Sequence, residues 1–388
     1  MTLSRRMFMG AVAALPLVKS GSAPRVAVIG AGAFGGWTAL HLRRLGADVT
    51  LVDAWGPGNP RASSGGETRV IRAVYGADRV YVEMVKRSYE LWEELDPALY
   101  IETGALWMHR GDDAYVRSSI PILEDLGFPV DKLTIAVARA RYPQIDFGGV
   151  QSVYIERRAG ALSARRACQV VRDTFEKLGG RYQTMHVDPA RAKIDAEVFV
   201  YACGPWLGQL FPDVIGDAIR PTRQEVYYFG APRGSDRYKP GTLPVWIDFG
   251  ERIFYGLPDI HERGFKIADD TRGEPIDPTS ASRTPTPEGI ARARALLAER
   301  FPELAKAPLV GAEVCQYENS PDGHLLIDRH PDRRNVWLIG GGSGHGFKLS
   351  PAAGELTARA IVSGAEVPAM FRLERLRDRA KPRTQFET

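Results

Sequence analysis

The sequence predicts an α/β fold in which a part built on a parallel sheet is interleaved with an α+β part built on a mixed sheet. Near each end of the chain, a buried strand leads through a glycine-rich turn into a helix, at 25–46 and at 336–364. Between these segments, residues 222–268 hold several short strand-like runs. A chain of 388 residues is long for one domain and typical of two.

The first of these segments carries the glycine pattern of a dinucleotide site. The apolar run 25–29 is followed by Gly30, Gly32 and Gly35, and a second strand ends in Asp53. Gly30 permits a tight turn, Gly32 lets the backbone approach a pyrophosphate, and Gly35 lets the helix pack close to the strand. The helix N-terminus offers N–H groups to phosphate, and Asp53 would accept hydrogen bonds from ribose hydroxyls. The pattern predicts a Rossmann-like domain; the alternative, a purely structural glycine turn, does not require Asp53.

Residues 56–72 form a small-residue segment that contains Arg69 and Arg72. Such a loop suits the remainder of an extended FAD and its isoalloxazine edge. Composition alone also allows a flexible surface loop.

The second glycine-rich turn spans Gly340–Gly346 and lacks the spacing of the first. A helix is predicted to follow, with Ser350 as its N-cap, Pro351 at its first position and Gly364 near its end. Backbone N–H groups and a helix N-terminus stabilise an anion, such as the charge near N1 and O2 of a reduced flavin. Lys348 would add a cation there; the alternative is a solvated lysine.

Composition and charge exclude several classes of function. The formal net charge is +4, but residues 1–23 supply three of these charges and no acid, so the remainder carries +1. Nucleic acid is therefore not an expected partner. No run of eighteen apolar residues predicts a membrane span. Cys168, Cys203 and Cys315 have no metal-ligand spacing and are too few for a disulfide framework, so no metal site is expected.

The N-terminal segment has the organisation of an export signal. Arg5 and Arg6 precede an apolar run at 11–18 and a small-residue stretch that ends at Ala23. The arginine pair resembles a twin-arginine signal, which predicts periplasmic export of a folded, cofactor-loaded protein. A basic helical tail is the alternative, and cleavage of the segment stays open.

The remaining elements suggest how the chain is divided. Further helices are predicted at 81–96, 163–178 and 286–301, and further strands at 104–108, 150–156 and 198–206. The predicted division is a signal peptide at 1–23, an FAD-binding domain at 24–80, 145–215 and 310–370, a substrate domain at 81–144 and 216–309, and a tail at 371–388.

Several motifs together resemble one family of flavoproteins. Besides the first glycine turn and Asp53, they are Gly66–Arg72, Ala202–Trp206, Cys315–Tyr317 and Ser343–Lys348. The chain resembles the monomeric sarcosine oxidase and N-methyltryptophan oxidase family, within the D-amino-acid-oxidase-like flavoproteins, from about residue 25 to residue 363. The resemblance implies a Rossmann-like FAD-binding domain interleaved with a mixed-sheet α+β substrate domain.

The resemblance also implies roles for individual residues. Cys315 would form a thioether to the flavin 8-methyl carbon, although a small buried hydrophobe is the alternative. Arg72 and Lys348 would clamp the substrate carboxylate. Lys266 would promote oxygen reduction above the flavin, unless it is a lysine on an exposed strand face.

Other residues match the cofactor and pocket positions of that family. Tyr317 and His345 would line the substrate pocket, and Arg69 would lie beside the flavin ring. Gly204 and Gly344, in two of the motifs, would contact the cofactor.

The sequence departs from sarcosine-type members at the amine end of the pocket. Asp269 and Asp270 replace an aromatic residue and a histidine, and Phe254 stands where those members have a tyrosine. One hypothesis is that one of these acids meets a cationic group on a larger substrate. Two solvated acids in a loop are the alternative.

The predicted activity is oxidation of the C–N bond of a secondary or N-methylated amino acid, and the protein is predicted to be a monomer. Hydride would pass to the flavin, the imine would hydrolyse, and oxygen would be reduced to peroxide. One alternative is a dehydrogenase that passes electrons to a quinone or another carrier. A more remote alternative is a non-catalytic flavin-binding exported protein.

Overall fold

The computed structural model describes residues 24–189, 194–377 and 386. The predicted signal peptide at 1–23 lies outside the described residues. Within the described ranges, no helix is both long and apolar enough to cross a membrane.

Seventeen strands and eight α-helices are present in the described part of the chain. The strands are β1 (Arg25–Ile29), β2 (Asp48–Asp53), β3 (Thr68–Ile71), β4 (Tyr100–Glu102), β5 (Ala105–His109), β6 (Val130–Leu133), β7 (Ser152–Glu156), β8 (Gly160–Ser163), β9 (Arg181–Thr184), β10 (Val198–Tyr201), β11 (Arg220–Phe229), β12 (Val245–Phe249), β13 (Ile253–Leu257), β14 (Phe265–Asp269), β15 (Leu309–Asn319), β16 (Leu326–Arg329) and β17 (Val336–Gly340). The helices are α1 (Ala33–Arg44), α2 (Arg79–Leu95), α3 (Ala114–Leu126), α4 (Ile135–Arg141), α5 (Ala164–Lys177), α6 (Leu207–Leu210), α7 (Pro287–Arg300) and α8 (Gly346–Ser363).

A six-stranded sheet forms the nucleotide half, in the order β16-β17-β10-β1-β2-β9. Its strands are parallel except β16, which pairs antiparallel with β17. Because parallel strands end at the same edge, the turns after β1, β2, β10 and β17 meet there. Gly35 of α1 packs so close to the first turn that a Cβ would lie 1.8 Å from the Gly30 carbonyl oxygen.

An eight-stranded mixed sheet, ordered β15-β11-β14-β13-β12-β5-β7-β6, forms the second half. Its two faces differ because successive side chains in a strand point to opposite sides. One face is apolar and packs on α7; it includes Phe254, Ile267 and Trp246. The register places a different set on the other face, namely Lys266, Tyr255, Tyr228, Cys315 and Tyr317.

Helix α8 begins four residues before the predicted N-cap, so the prediction for Ser350 and Pro351 is wrong. The helix starts at Gly346, and Ser350 and Pro351 lie inside it. Proline cannot donate to the carbonyl one turn earlier, and the Ser350 hydroxyl donates to the Phe347 carbonyl instead, at 2.7 Å. The earlier start puts Lys348 in the first turn, where it is buried.

Two strands lie in a different sheet from the one that the predicted domain division assigns to them. β7 and β15 belong to the eight-stranded sheet, although their segments were predicted to lie with the FAD-binding half. The end of the predicted loop at 56–72 forms β3, which pairs antiparallel with β8. The division into two domains at the stated residues stays a prediction.

Candidate active site

An elongated cavity of about 320 Å³ runs along the carboxyl edge of the six-stranded sheet. Much of its lining comes from the turns after five strands, β1, β2, β9, β10 and β17. This edge is where open α/β sheets bind ligands. The predicted residues Gly30, Gly32, Asp53, Gly204 and Gly344 all line this one cavity.

The first glycine turn is shaped by steric limits and by Asp53. Gly30 has a φ of +104°, and a Cβ there would lie 2.3 Å from the Ala202 carbonyl oxygen. The Asp53 carboxylate accepts hydrogen bonds from the N–H groups of Ala31 (2.7 Å), Trp55 (2.8 Å) and Gly56 (2.7 Å). Asp53 therefore ties the turns after β1 and β2 together, in addition to its predicted contact with a ribose.

The elongated cavity is lined by aromatic and aliphatic side chains and by a second glycine turn. Trp55 and Trp206 pair at a ring distance of 5.2 Å, and Val187 also lines the cavity. The glycine turn after β17 also lines the cavity, and there Ser343 and Gly344 have φ values of +44° and +84°. Helices α1 and α8 both begin beside the cavity, and neither has an acid in its first turn. Both helix N-termini therefore favour a ligand with negative charge.

Cys315 lies beside Arg69 on the inner face of the eight-stranded sheet. Its Sγ is 3.5 Å from the Arg69 guanidinium and 3.6 Å from the Ser63 carbonyl oxygen. Cys315 lines a neighbouring cavity of about 500 Å³, which shares Ala62, Arg69 and Tyr317 with the elongated cavity.

Lys266 is buried on the same face and is not a lysine on an exposed strand. Its Nζ donates a hydrogen bond to the Thr68 carbonyl oxygen at 2.8 Å. Burial, and secondarily the positive charge of Arg69, lowers the pKa of Lys266 to about 7. Its charge therefore changes near neutral pH.

A smaller cavity of about 60 Å³ adjoins the elongated one. Arg69, Tyr317, Gly344 and Phe347 line both. The smaller cavity also contains the predicted residues Arg72, His345 and Lys348, together with Tyr255, Asp270 and Phe386. Residues of β3, β12, β13, β15 and α8, which are distant in sequence, thus converge on one small space.

The two basic side chains of the small cavity are both buried. Arg72 is 3 % exposed, and its guanidinium lies 4.8 Å from the Tyr75 ring and 5.2 Å from the Trp107 ring. The Lys348 Nζ donates to the His345 carbonyl oxygen at 3.2 Å. Burial, followed by the charge of Arg72, holds the pKa of Lys348 well below its usual value. An anion bound between Arg72 and Lys348 would offset the cost of burying their positive charges.

His345 is held in one tautomer. Its Nε2 lies 2.8 Å from the Gly323 carbonyl oxygen, which only accepts, so Nε2 carries the proton. Nδ1 then accepts from the Tyr75 hydroxyl at 3.0 Å. Burial, and then the charge of Lys348, keeps the pKa of His345 well below its usual value. The ring is neutral and serves to position its neighbours.

At the amine end, the strand geometry corrects the expectation for Phe254 and distinguishes the two acids. Phe254 does not line the small cavity; it packs on the opposite face of the sheet, and its neighbour Tyr255 lines the cavity instead. Asp269 forms ion pairs with Arg252 at 2.5 Å and Arg292 at 3.8 Å. Asp270 is therefore the acid that reaches the site.

Sequence patterns missed several residues around the pocket. Tyr75 and Phe386 belong to no recognised motif, and the sequence around Glu156 predicts only a strand. The Glu156 carboxylate is fully buried and accepts from the Ala73 N–H, next to Arg72. Side chains alternate between the two faces of a strand, so a known register between β13, β14 and β15 would have placed Tyr255 on the same face as Lys266 and Tyr317.

Among the residues that the structure describes, no cluster of His, Cys, Asp or Glu suits a metal ion. A largely parallel sheet with two helix N-termini on one elongated cavity, next to a small cavity lined by buried basic residues, defines the class of dinucleotide-binding α/β proteins.

Comparison with known proteins gives the family. The chain belongs to the DAO family, described as FAD dependent oxidoreductase, which matches residues 25–360. It is 30% identical over 363 residues to a monomeric sarcosine oxidase of a Bacillus species, covering 87% of this chain and 92% of that protein. It is 27% identical to an N-methyl-L-tryptophan oxidase of Escherichia coli, covering 85% and 93%. The resemblance stated from the motifs is confirmed.

Solved structures show the same fold. An L-proline dehydrogenase from P. horikoshii superposes with a TM-score of 0.78 at 21% identity, over 93% of this chain and all of that one. The fructosyl amine: oxygen oxidoreductase (Amadoriase I) from Aspergillus fumigatus gives 0.76 at 23% identity, over 96% and 94%. The predicted fold class is confirmed, and the protein is an FAD-dependent oxidoreductase.

Proposed function

We propose that this protein oxidises the C–N bond of a secondary or N-methylated amino acid, with oxygen as the final electron acceptor and hydrogen peroxide as a product. The observation that carries the proposal is the small cavity, where Arg72 and Lys348 lie with Asp270 next to the elongated cavity. The named activities of the sarcosine and N-methyl-L-tryptophan oxidases support this substrate class.

The elongated cavity suits FAD by its shape and its donors. The turn at Gly30–Gly35 and the N-terminus of α1 would hold the pyrophosphate, and Asp53 the ribose. Arg69, Gly344 and the N-terminus of α8 would lie at the isoalloxazine end. Bound FAD supplies the hydride acceptor.

The protein's own side chains bind and orient the substrate. The Arg72 fork and the Lys348 ammonium bind the carboxylate, and its negative charge favours the protonated form of Lys348. His345 and Tyr75 hold the turn that carries Lys348. The apolar walls, Val70, Ile247, Ile253 and Phe347 among them, limit the water around the reacting carbon.

We further propose that Cys315 attaches the flavin covalently. The proximity of the Sγ to Arg69 and to the elongated cavity supports this linkage. In denatured wild-type protein the flavin should stay with the polypeptide, and in Cys315→Ala it should appear in the acid-soluble fraction. A Cys168→Ala variant, which removes a thiol of α5, is the control and should retain the flavin. Flavin that remains bound in Cys315→Ala would reject the linkage.

Lys266 supports oxygen as the acceptor, because a buried cation beside the flavin would stabilise forming superoxide. Lys266→Met should lower the rate constant of flavin reoxidation by oxygen by about 10² or more, with anaerobic reduction by substrate little changed. Undiminished reoxidation by oxygen would favour the alternative dehydrogenase, which passes its electrons to a quinone or another carrier.

Export through the twin-arginine pathway to the periplasm, and a monomeric state, also belong to the proposal. Replacement of Arg5 and Arg6 by lysine should retain the enzyme in the cytoplasmic fraction of the host. Size-exclusion chromatography with light scattering gives the oligomeric state directly.

The experiment that tests the proposed function is anaerobic bleaching of the flavin absorbance by a panel of N-methyl, cyclic and basic amino acids. Rapid bleaching by one class is expected, and it also identifies the substrate. If dithionite bleaches the flavin and no amino acid does, the substrate class is wrong; such a result would suit a non-catalytic flavin-binding protein.

A further inference from the structure

We propose that Asp270 is a further catalytic residue of this site, which binds the ammonium group of the amino-acid substrate and accepts its proton. This inference rests on the proposed function and adds the group that prepares the amine for oxidation. The reaction requires a neutral amine, whereas a secondary amino acid in neutral water carries an ammonium group.

The first observation is the charge distribution of the small cavity. Of the described residues that line it, Asp270 is the single acid, and Arg69, Arg72 and Lys348 are basic. An amino acid carries one negative and one positive group, a few ångströms apart. The basic pair accounts for the carboxylate, and Asp270 supplies the complementary charge for the ammonium group.

The second observation is how firmly Asp270 is held. Its backbone N–H donates to the Ile253 carbonyl oxygen at 2.7 Å, which anchors it to β13. The Tyr317 hydroxyl donates to the Asp270 Oδ1 at 2.6 Å. A hydrogen bond of this kind fixes the orientation of the carboxylate toward the cavity that it lines.

The third observation excludes other bases in the cavity. His345 has both ring nitrogens engaged, and an added proton would have to displace the Tyr75 hydroxyl. The groups facing Asp270 are otherwise phenols and cations, namely Tyr255, Tyr317, Arg69, Arg72 and Lys348. Lys348 is required for the carboxylate, where its cationic form binds.

The position of Asp270 favours one cation of the substrate. Asp270 lines the same cavity as Arg72 and Lys348, a space of about 60 Å³, so the amine next to a bound carboxylate lies nearest to it. The inference therefore assigns Asp270 to the substrate's own amine and not to a cationic group on a larger substrate.

The proton transfer balances without any further reactant. One N–H bond of the ammonium group breaks, an O–H bond forms on the Asp270 carboxylate, and the nitrogen regains its lone pair. That lone pair forms the new C=N bond as hydride leaves the carbon. After the product departs, Asp270 returns the proton to water.

The kinetic test compares Asp270→Asn with Asp269→Asn in the flavin-loaded enzyme. Asp269 is the matched control, because it adjoins Asp270 in the chain but pairs with Arg252 and Arg292 outside the cavity. For a substrate that bleaches the wild type, Asp270→Asn should lower the anaerobic reduction rate at pH 7 by about 10²–10³. The rate should rise about tenfold per pH unit as the free amine becomes available. An unchanged rate and pH profile in Asp270→Asn would overturn the proposal.

A binding test needs no turnover. Trimethylglycine and 3,3-dimethylbutyrate have the same shape, but one carries a quaternary ammonium and the other a neutral tert-butyl group. Titration of the flavin spectrum should show tighter binding of trimethylglycine to the wild type and to Asp269→Asn, by roughly tenfold, and loss of this preference in Asp270→Asn. A wild type that does not prefer the cation, or a preference that survives in Asp270→Asn, contradicts the inference. Loss of the preference without any amino-acid bleaching would support Asp270 as the cation site and reject the proposed function.

Discussion

Burial sets the protonation of the charged side chains around the small cavity. It lowers the pKa of Lys266 and Lys348 and raises that of Glu156 to about 7. The same low-polarity surroundings strengthen each interaction with a bound substrate. Residues with shifted pKa values in a cleft are typical of functional sites, and among these three Lys348 lines the small cavity.

Glu156→Gln should change how stability depends on pH. The folded-state pKa of Glu156 is raised above its unfolded value, mainly by burial. The contribution of Glu156 to the free energy of unfolding is therefore fully present below pH 4.5 and is lost as the pH rises through about 7. Glutamine keeps an acceptor for the Ala73 N–H and never ionises, so the variant should gain up to about 3 kcal/mol relative to the wild type between pH 5 and pH 8.

The measurement for Glu156 is the melting temperature of both proteins between pH 5 and pH 8. The exposed Glu124→Gln, on α3, is the control and should follow the wild type at every pH. Parallel curves for Glu156→Gln and the wild type would show that Glu156 stays ionised in the folded protein.

At the level of elements, the helix N-termini and glycine turns are the parts that prepare the cofactor site. Helix α8 has a residue with positive φ beside each end, Gly344 before its start and Gly364 after its last residue. At Gly344 a Cβ would lie 2.7 Å from Cε2 of Tyr317, while nothing lies within 4 Å of one at Gly364. Substitution of either glycine strains the backbone, but only substitution of Gly344 also crowds a neighbouring side chain, so a comparison of the two separates these effects.

Gly344→Ala should weaken flavin binding and perturb its absorbance, because the new methyl group displaces Tyr317 at the border of both cavities. Gly364→Ala should cost about 1 kcal/mol of stability from backbone strain alone and leave the flavin spectrum unchanged. Flavin titration and thermal melting of both variants make the comparison. Equal effects of the two substitutions on the flavin would contradict this role of the turn.

At the scale of the whole molecule, the cofactor cavity joins the two sheets. Its lining combines the edge of the six-stranded sheet with Gln316, Tyr317 and Glu318 of β15, which belongs to the eight-stranded sheet. A ligand that contacts both halves binds the folded protein and not the unfolded chain. Its binding free energy therefore adds to stability.

Removal of FAD should lower the melting temperature of the whole protein. The Cys315→Ala variant is the suitable material, since its flavin can be extracted under mild conditions. Added FAD should restore stability by about 4 kcal/mol at 1,000 times its Kd, with one transition for the entire chain. Riboflavin, which lacks the pyrophosphate, is the control and should restore less. Two separate transitions, with only one that responds to FAD, would mean that the halves unfold independently.

The nucleotide half could be predicted because the residues that specify its fold are close together in the sequence. The strand, turn, helix and acid at 25–53 follow one another in the chain, and the glycines are required by contacts as close as 1.8 Å. The motifs at Cys315 and Lys348 identified the family, and the resemblance to that family predicted Arg72, which lines the small cavity.

The amine end of the pocket was not predictable in the same way. Whether Phe254 or Tyr255 enters the cavity depends on which face of the mixed sheet each side chain takes, and a shift of one residue exchanges them. The choice between Asp269 and Asp270 depends on where β14 ends relative to Arg252 and Tyr317. These facts arise from pairing between strands that are far apart in sequence.

Short contiguous motifs encode the fold class, the dinucleotide turn, the family and the basic residues Arg72 and Lys348, so these could be predicted from the sequence. The start of α8, the face of each strand that meets the small cavity, and the identity of Asp270 as the acid that lines it among the described residues became known only from the folded structure. Register and burial are set by packing between distant segments, and this packing brings His345, Lys348 and Asp270 into one cavity.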